Sequence, residues 1–580
     1  MTVRAGIVKG HQSGEQYAAQ AMLRWFAIGA SVWLLAGMAT MIFANGLRFE
    51  QYVFLTQDAP VAAFLIGFLS LLKGQAGNPG SPPEIRNWQI GVAIVAVMAI
   101  AWAGHHWLMS GYSLSRDEAL ARMSAAALAH GQLAMPIPPE WRAYADAMSP
   151  DFLNPMGGDR YWISLYLPGS AAIEALVSQF ADPAVTQPLL LGLGLLMLWD
   201  VSRNLFPDRP DIRTVVMLLA FSSCQLLFTA MTAYAMTAHF ALNMVWLALF
   251  IRERTCTHGA ALLVGFFALS LHKVQFHVLF AGPILATLLW RRRWALSALY
   301  AVSYAIFLIV WMKLYPLLLV DRLDLSITAG AAKGVSLSPR LASLQPLLYL
   351  TRFFAWNNAL LVPLALIGMK GAWRSLRQDA KGRRALLFIG LTGGCAIGML
   401  LTVHQGLGWG YRYLHGYIGP FCLLAGLGWN KLYPSPASLR PIWLAVMVSM
   451  ATVAAQGVMV ARFVTPYARL HAHAAALPVD ILLLDPRGGV FAQDIVRVPP
   501  NMVHRPIFMD LSKLDKQRVD TLCRKYRIGI IDRTDYRAAG ILADDSRPDA
   551  RHIARIRAYL DLTGCARRAL PSGTGSQASL

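Results

Sequence analysis

The residues best placed to do chemistry are an acidic pair, Asp117-Glu118, two positions after Ser115 and directly before a segment whose apolar residues recur at helical spacing. A carboxylate within hydrogen-bond reach of a hydroxyl takes its proton as a new bond forms. The same residues also have a purely structural reading. Ser115 and Glu118 complete a capping box, and both acids favour the positive end of a helix. Two cations stand apart. Lys273 interrupts the apolar stretch 259–290, where a charge is costly unless it faces a cavity. Arg412 lies in Trp409-Gly410-Tyr411-Arg412-Tyr413-Leu414, beside His404, Gln405 and His415. Both sit near a membrane boundary, where their chemistry is anion binding; arginine suits phosphate through its fixed fork of donors. Snorkelling to the interface is the competing account of each. His272 and His277 flank the lysine, but their spacing places them on different helix faces without an acidic neighbour. They read as polar caps of a tight turn, so no cofactor is predicted and a divalent metal has no ligand spacing in its favour.

These residues must be positioned by a membrane scaffold. Hydrophobic residues make up 56% of the 580 and charged residues only 14%, against about 25% charged in an ordinary soluble chain. That excludes a disordered chain, a disulfide scaffold and a cytosolic enzyme with a single anchor. Windows of about 20 residues predict spans near 24–44, 53–72, 89–108, 184–201, 212–230 and 235–251. Two short helices meet at His272 to His277 within 259–290, and later spans follow near 294–316, 346–368, 385–403, 413–430 and 440–462, thirteen in all. Residues 1–22 lack the pattern of a cleavable signal, so the first span is expected to be retained. With the N-terminus inside, 21 basic residues fall in cytoplasmic loops and ten in the opposite ones, the bias that retention of Lys and Arg predicts. The expected location is the cytoplasmic (inner) membrane. The net charge of +21 is then mostly topology and attraction to anionic lipid, and nucleic acid is not a predicted partner.

The expected fold class is an all-α polytopic membrane protein with a small C-terminal extracytoplasmic α/β domain. Residues 1–462 form the transmembrane domain, with an external loop over 109–183 that carries the acidic pair, and 463–580 form the α/β domain. In that tail, strand-like runs (Ile481 to Leu484, Ile507 to Leu511, Ile528 to Ile531) alternate with helix-like runs near 513–526 and 549–562. Cys523 and Cys565 are the only cysteines there, an even count in an oxidising compartment, and are expected to pair. The segment after the acidic pair is amphipathic and is expected to lie along the membrane surface.

The order of features in the external loop resembles that of a known superfamily. Asp117-Glu118 precedes a helix ending in Gly131, then Pro136 and Pro138, then Tyr161-Trp162-Ile163-Ser164-Leu165-Tyr166-Leu167-Pro168-Gly169. Ala268 to Lys273 followed by an apolar run with Pro283, and Trp409 to Leu414 followed by Gly419-Pro420, complete the pattern. This resembles the GT-C glycosyltransferases, especially the protein O-mannosyltransferase and lipid A aminoarabinose transferase branch. The resemblance implies transfer of a sugar from a polyprenyl-phosphate donor to a hydroxyl on an envelope glycan, lipid or protein at the external face. It implies Asp117 as general base, Glu118 as helper, loop orienter or cap, and Lys273 and Arg412 at the donor phosphate. A single displacement at the anomeric carbon inverts its configuration. Tyr161, Trp162, His272, His277, His404 and Tyr411 are cavity-lining candidates, with aromatic-belt or packing roles as the plainer readings. Asp151 or Asp159 is a candidate second acid.

Two other classes compete. A transporter or lipid-linked-sugar flippase places charges near the bilayer midplane and breaks helices in pairs; here the notable charges gather at one boundary and one pair is strongly broken. An O-antigen ligase or polymerase relies on arginines and a histidine in a late external loop, where 317–345 offers Arg322 and Arg340 but no histidine.

Overall fold

Helices dominate, as the hydropathy pattern predicts. The computed structural model describes residues 2–43, 48–72, 85–149, 153–156, 159–323, 339–378, 382–401, 404–497, 506–544 and 550–568. Among the described residues, seven helices are long and apolar enough to cross a membrane: Ala21–Ile42, Phe49–Leu71, Asn87–Trp107, Pro183–Leu205, Trp294–Leu323, Arg383–Leu400 and Arg440–Ala475. Three shorter apolar helices, Met236–Phe250, Thr255–Leu269 and Gln275–Trp290, accompany them. The chain is a helical, multi-pass membrane protein.

The expected thirteen spans do not appear as thirteen long helices, and the reason is visible at two of the windows. The window 212–230 divides into Pro210–Phe221 and Cys224–Thr229, with Ser223 capping the second piece by accepting from the Leu226 N–H. The window 346–368 divides into Pro339–Ala355 and Leu361–Gln378 around Asn357-Asn358. The two breaks satisfy each other. Ser223 Oγ donates to Asn357 Oδ1 at 2.6 Å, and Asn358 Nδ2 donates to Ser222 Oγ at 2.8 Å. A hydropathy average passes over four polar residues that pair with one another inside a bundle.

The chain separates into two compact units. The first comprises 1–104, 184–313 and 336–457. A close crossing in it sets Leu361–Gln378 against Ile418–Leu432 at a glycine pair. A Cβ on Gly368 would stand 1.9 Å from the Leu424 carbonyl oxygen, and one on Gly428 2.0 Å from that of Leu364. Small residues let backbones approach this closely where lipid offers no hydrophobic drive between helices. Asp58, buried in the first unit, accepts from Arg352 Nε at 2.8 Å and Trp356 Nε1 at 3.0 Å, so its charge is paired as burial requires. The stretch 259–290 is the predicted pair of helices, Thr255–Leu269 and Gln275–Trp290.

The second unit comprises 105–183, 314–335 and 458–580. A parallel sheet is ordered Ile507–Asp510, Ile481–Leu484, Ile528–Ile531, Ala566–Arg568. The first three strands are the predicted ones and are buried along their whole length, as continuous apolar runs in a parallel sheet should be. The Ala566–Arg568 strand follows no apolar run and was not expected. Helices Lys516–Lys525 and Ala550–Thr563 pack on the sheet through Val519, Leu522, Ile553, Ile556 and Leu560. Cys523 and Cys565 form a disulfide.

The helix Arg116–Ala129 departs from expectation. Its apolar residues Leu120 and Met123 join the same core as Ile481, Leu483, Ile507 and Met509, and Ala125 packs against Ala171 and Ala175 of the helix Gly169–Val177. Its amphipathic face is covered by protein, not by membrane. Periodicity alone shows that a helix has a face to bury and not what buries it.

Candidate functional site

In the second unit, Ser115 caps the helix Arg116–Ala129 and Glu118 completes the box. The Glu118 N–H donates to Ser115 Oγ at 3.3 Å, and the Ser115 N–H donates to Glu118 Oε2 at 3.0 Å. Glu118 is 3% exposed, so its side chain is committed to holding the turn. Asp117, next to it, is half-buried, and its Oδ1 accepts from the Tyr166 hydroxyl at 2.7 Å. The capping box satisfies the helix end without Asp117, whose carboxylate is oriented by a side chain 49 residues away in sequence.

The loop leading to Asp117 is held from the C-terminal part of the same unit. Asp494, 3% exposed, accepts from the Arg116 N–H at 3.1 Å and pairs with Arg116 Nη2 at 2.8 Å. Arg497 donates to the Ser113 carbonyl and lies 4.0 Å from the centroid of the Tyr112 ring. Burial pushes the Tyr112 hydroxyl pKa up, against the attraction of Arg497. No local sequence signal links Asp494 or Arg497 to this loop, because nearly 400 residues separate them. Tyr166 lies within the segment Tyr161 to Gly169 already singled out, though not as a partner of the acid.

The other candidates of this unit are placed differently. Trp162 is 1% exposed, in the core, with its indole N–H donating to the Ala145 carbonyl at 3.2 Å. Tyr161, on the same strand, packs against Ala134, Ile163 and Leu319. Asp159 stands in the turn before that strand at φ +57°, and Asp151 lies outside the described residues. Glu174 pairs with Arg122 at 2.9 Å, and burial pushes its pKa up despite that partner.

In the first unit, Lys273 is exposed in the turn between Thr255–Leu269 and Gln275–Trp290. His272 lies against Phe276, with ring centroids 5.5 Å apart. His277 is fully buried and bonded at both nitrogens, to Asn243 Oδ1 and the Tyr304 hydroxyl, each at 2.8 Å. Asn243 Nδ2 donates to the Gly416 carbonyl, so its oxygen faces His277. His277 therefore carries its proton on Nδ1 and accepts from Tyr304 at Nε2. It is a structural histidine.

Arg412 is 5% exposed and does not snorkel. Its guanidinium donates to the Gln405 carbonyl and stands 4.4 Å from the Tyr234 ring centroid, a cation–π geometry. The surrounding loop is clamped by two amides. Gln405 Oε1 accepts from the Arg412 N–H at 2.7 Å, while its Nε2 donates to the Gly410 carbonyl at 2.9 Å. Gln225 bonds both backbone groups of Tyr411, at 3.2 and 2.7 Å. Gly410 has φ +75°, and a Cβ there would lie 2.5 Å from Gln225 Oε1, so this position requires glycine. Tyr411 is buried and stacks on Tyr349 at 5.0 Å, and Tyr349 shares a hydrogen bond of 2.7 Å with His404. Gln225, Tyr234 and Tyr349 were not anticipated, since each reads locally as one polar or aromatic residue in an apolar run.

His239 and His415 are also buried here, with no hydrogen-bond partner at either ring nitrogen among the described residues. Among those residues, no group of three or more His, Cys, Asp or Glu could hold a metal ion.

No protein-family model matches the chain, and a search of curated proteins returns no match. The solved structures to which the chain is similar include the crystal structure of ArnT from Cupriavidus metallidurans bound to undecaprenyl phosphate, at a TM-score of 0.43 and 16% identity over 68% of this chain and 66% of that one. The chain thus spans just under two thirds of that protein's length. The apo state of ArnT from Cupriavidus metallidurans aligns at a TM-score of 0.48 and 15% identity, over 75% of this chain and 90% of that chain.

Proposed function

We propose that this chain is a membrane glycosyltransferase that moves a sugar from a polyprenyl-phosphate donor to a hydroxyl acceptor, with inversion and with Asp117 as general base. The observation that carries the proposal is the geometry of Asp117. It is a half-buried carboxylate held at 2.7 Å by Tyr166, at a helix end that Ser115 and Glu118 cap without it. In the proposed step the acceptor hydroxyl gives its proton to Asp117 while its oxygen attacks the anomeric carbon. The bond from that carbon to the phosphate oxygen breaks, and the polyprenyl phosphate leaves with the electron pair. Arg412 and Lys273 supply positive charge for that phosphate, and Glu118 keeps the loop in place.

The proposed topology sets the N-terminus inside and the C-terminal domain outside. The Cys523–Cys565 disulfide supports that side for the domain, because disulfides persist in oxidising compartments. The test uses purified full-length protein, labelled polyprenyl-phosphate sugars and native envelope extract. Label is expected to move from one donor onto a hydroxyl-bearing acceptor; movement of intact donor across a sealed bilayer without bond cleavage would replace transfer with flipping.

A further inference from the structure

The second unit presents an apolar helix face that its own residues leave uncovered. Gly169–Val177 buries Ser170, Ala171, Glu174 and Ala175, where Ala171 and Ala175 meet Ala125 of Arg116–Ala129 and Glu174 pairs with Arg122 at 2.9 Å. The other side carries Ala172, Leu176 and Phe180, exposed and set one helical turn apart. Phe180 stays on the helical path, because the N–H groups of Ser178, Phe180 and Ala181 donate back to the carbonyls of Glu174 and Val177. Leu176 is 64% exposed and Phe180 85%. A helix that is apolar on opposite sides needs a cover on both.

What covers this face is set by where the chain goes next. Phe180 precedes Pro183, the first residue of the candidate membrane span Pro183–Leu205, so chain length alone holds it within about 11 Å of the start of that span. The preceding span, Asn87–Trp107, ends in an indole that is 81% exposed. His106 Nε2 and Asp182 Oδ2, 3.2 Å apart, tie the two span ends together. Leu176, Phe180 and Trp107 thus collect beside one membrane boundary, where indoles sit at headgroup level and amphipathic helices bury their apolar faces. We infer that Gly169–Val177 lies in the bilayer interface, with Leu176 and Phe180 inserted among the lipid acyl chains, as the membrane anchor of the acidic loop. The place expected for Arg116–Ala129 belongs to the helix on which it packs. Because Arg122 and Ala125 of the helix that follows Asp117 rest on the opposite side, the anchor also sets the height of Asp117 at the bilayer surface. That consequence rests on the proposed transfer, whereas the insertion does not.

Spin labels on the full chain in nanodiscs test the insertion without any turnover. Leu176→Cys and Phe180→Cys are made singly in a Cys256→Ser background, since Cys256 is exposed while the other free cysteines are buried. Val95→Cys, at an exposed position of the span Asn87–Trp107, marks lipid, and Glu140→Cys, exposed in the second unit, marks water. Power saturation with oxygen and with a neutral nickel chelate should place the labels at 176 and 180 about 5–10 Å into the headgroup and acyl boundary, with oxygen the more effective relaxant, as at Val95. Contact with the nickel chelate equal to that at Glu140 would show the face in water and overturn the inference. Exclusion of both reagents would overturn it as well, because a protein surface, such as a second copy of this chain, would then cover the face.

Discussion

Asp117 and Glu118 are adjacent carboxylates with separate work, and the division comes from what each touches. Glu118 reaches back to the Ser115 N–H, whereas Asp117 turns toward Tyr166. The capping box of Ser115 and Glu118 is legible in Ser-Arg-Asp-Glu followed by helical periodicity, but the Tyr166 bond is not, since it depends on how the loop closes over 49 residues. Replacing Tyr166 by Phe should lower the transfer rate about tenfold without changing donor binding, measured as rate at saturating donor against donor affinity; an unchanged rate would remove Tyr166 from the site. Arg412→Ala should chiefly weaken use of the donor, seen as a raised donor KM. Glu174 offers a pH test. Burial raises its pKa above the ordinary 4.5 despite Arg122, so the folded state holds the proton more tightly than the unfolded state. Its contribution to stability should therefore fall as pH rises from about 4.5 through the folded value. Thermal unfolding of the solubilised protein between about pH 4 and pH 7 should show a shallower decline for Glu174→Gln than for wild type.

Elements were legible in proportion to how uniform they are. The runs Ile481 to Leu484 and Ile528 to Ile531 were placed to the residue, because an all-apolar strand bounded by polar residues has few alternatives. The windows at 212–230 and 346–368 were read through, because Ser222, Ser223, Asn357 and Asn358 satisfy one another across the bundle. The destination of the Arg116–Ala129 apolar face was invisible for a related reason: its partners, Ile481 and Ile507 among them, lie more than 350 residues along the chain. Close helix crossings are the most exposed to substitution. With Cβ positions at Gly368 and Gly428 falling about 2 Å from backbone oxygens, Gly428→Val forces the helices apart, and the yield of monodisperse, folded protein should drop sharply. A normal yield and melting temperature would show that the crossing can relax.

At the scale of the molecule, the charge excess, the span order and the acidic loop were legible, while the tail's relation to that loop was not. The second unit assembles Asp494 and Arg497 onto residues 112–116, so the C-terminal domain serves as a brace for the loop that carries Asp117. Asp494→Ala removes the partner of Arg116 and should cost activity without unfolding the first unit, detectable as lost transfer with an unaltered helical signal. The proposed transfer requires that Asp117 take the acceptor proton. The most direct measurement is the single-turnover rate of Asp117→Asn against wild type, with labelled polyprenyl-phosphate sugar at saturation and donor binding measured in parallel. If Asp117 is the base, the variant loses about 10²-fold or more with donor binding retained; transfer at the wild-type rate would contradict that role.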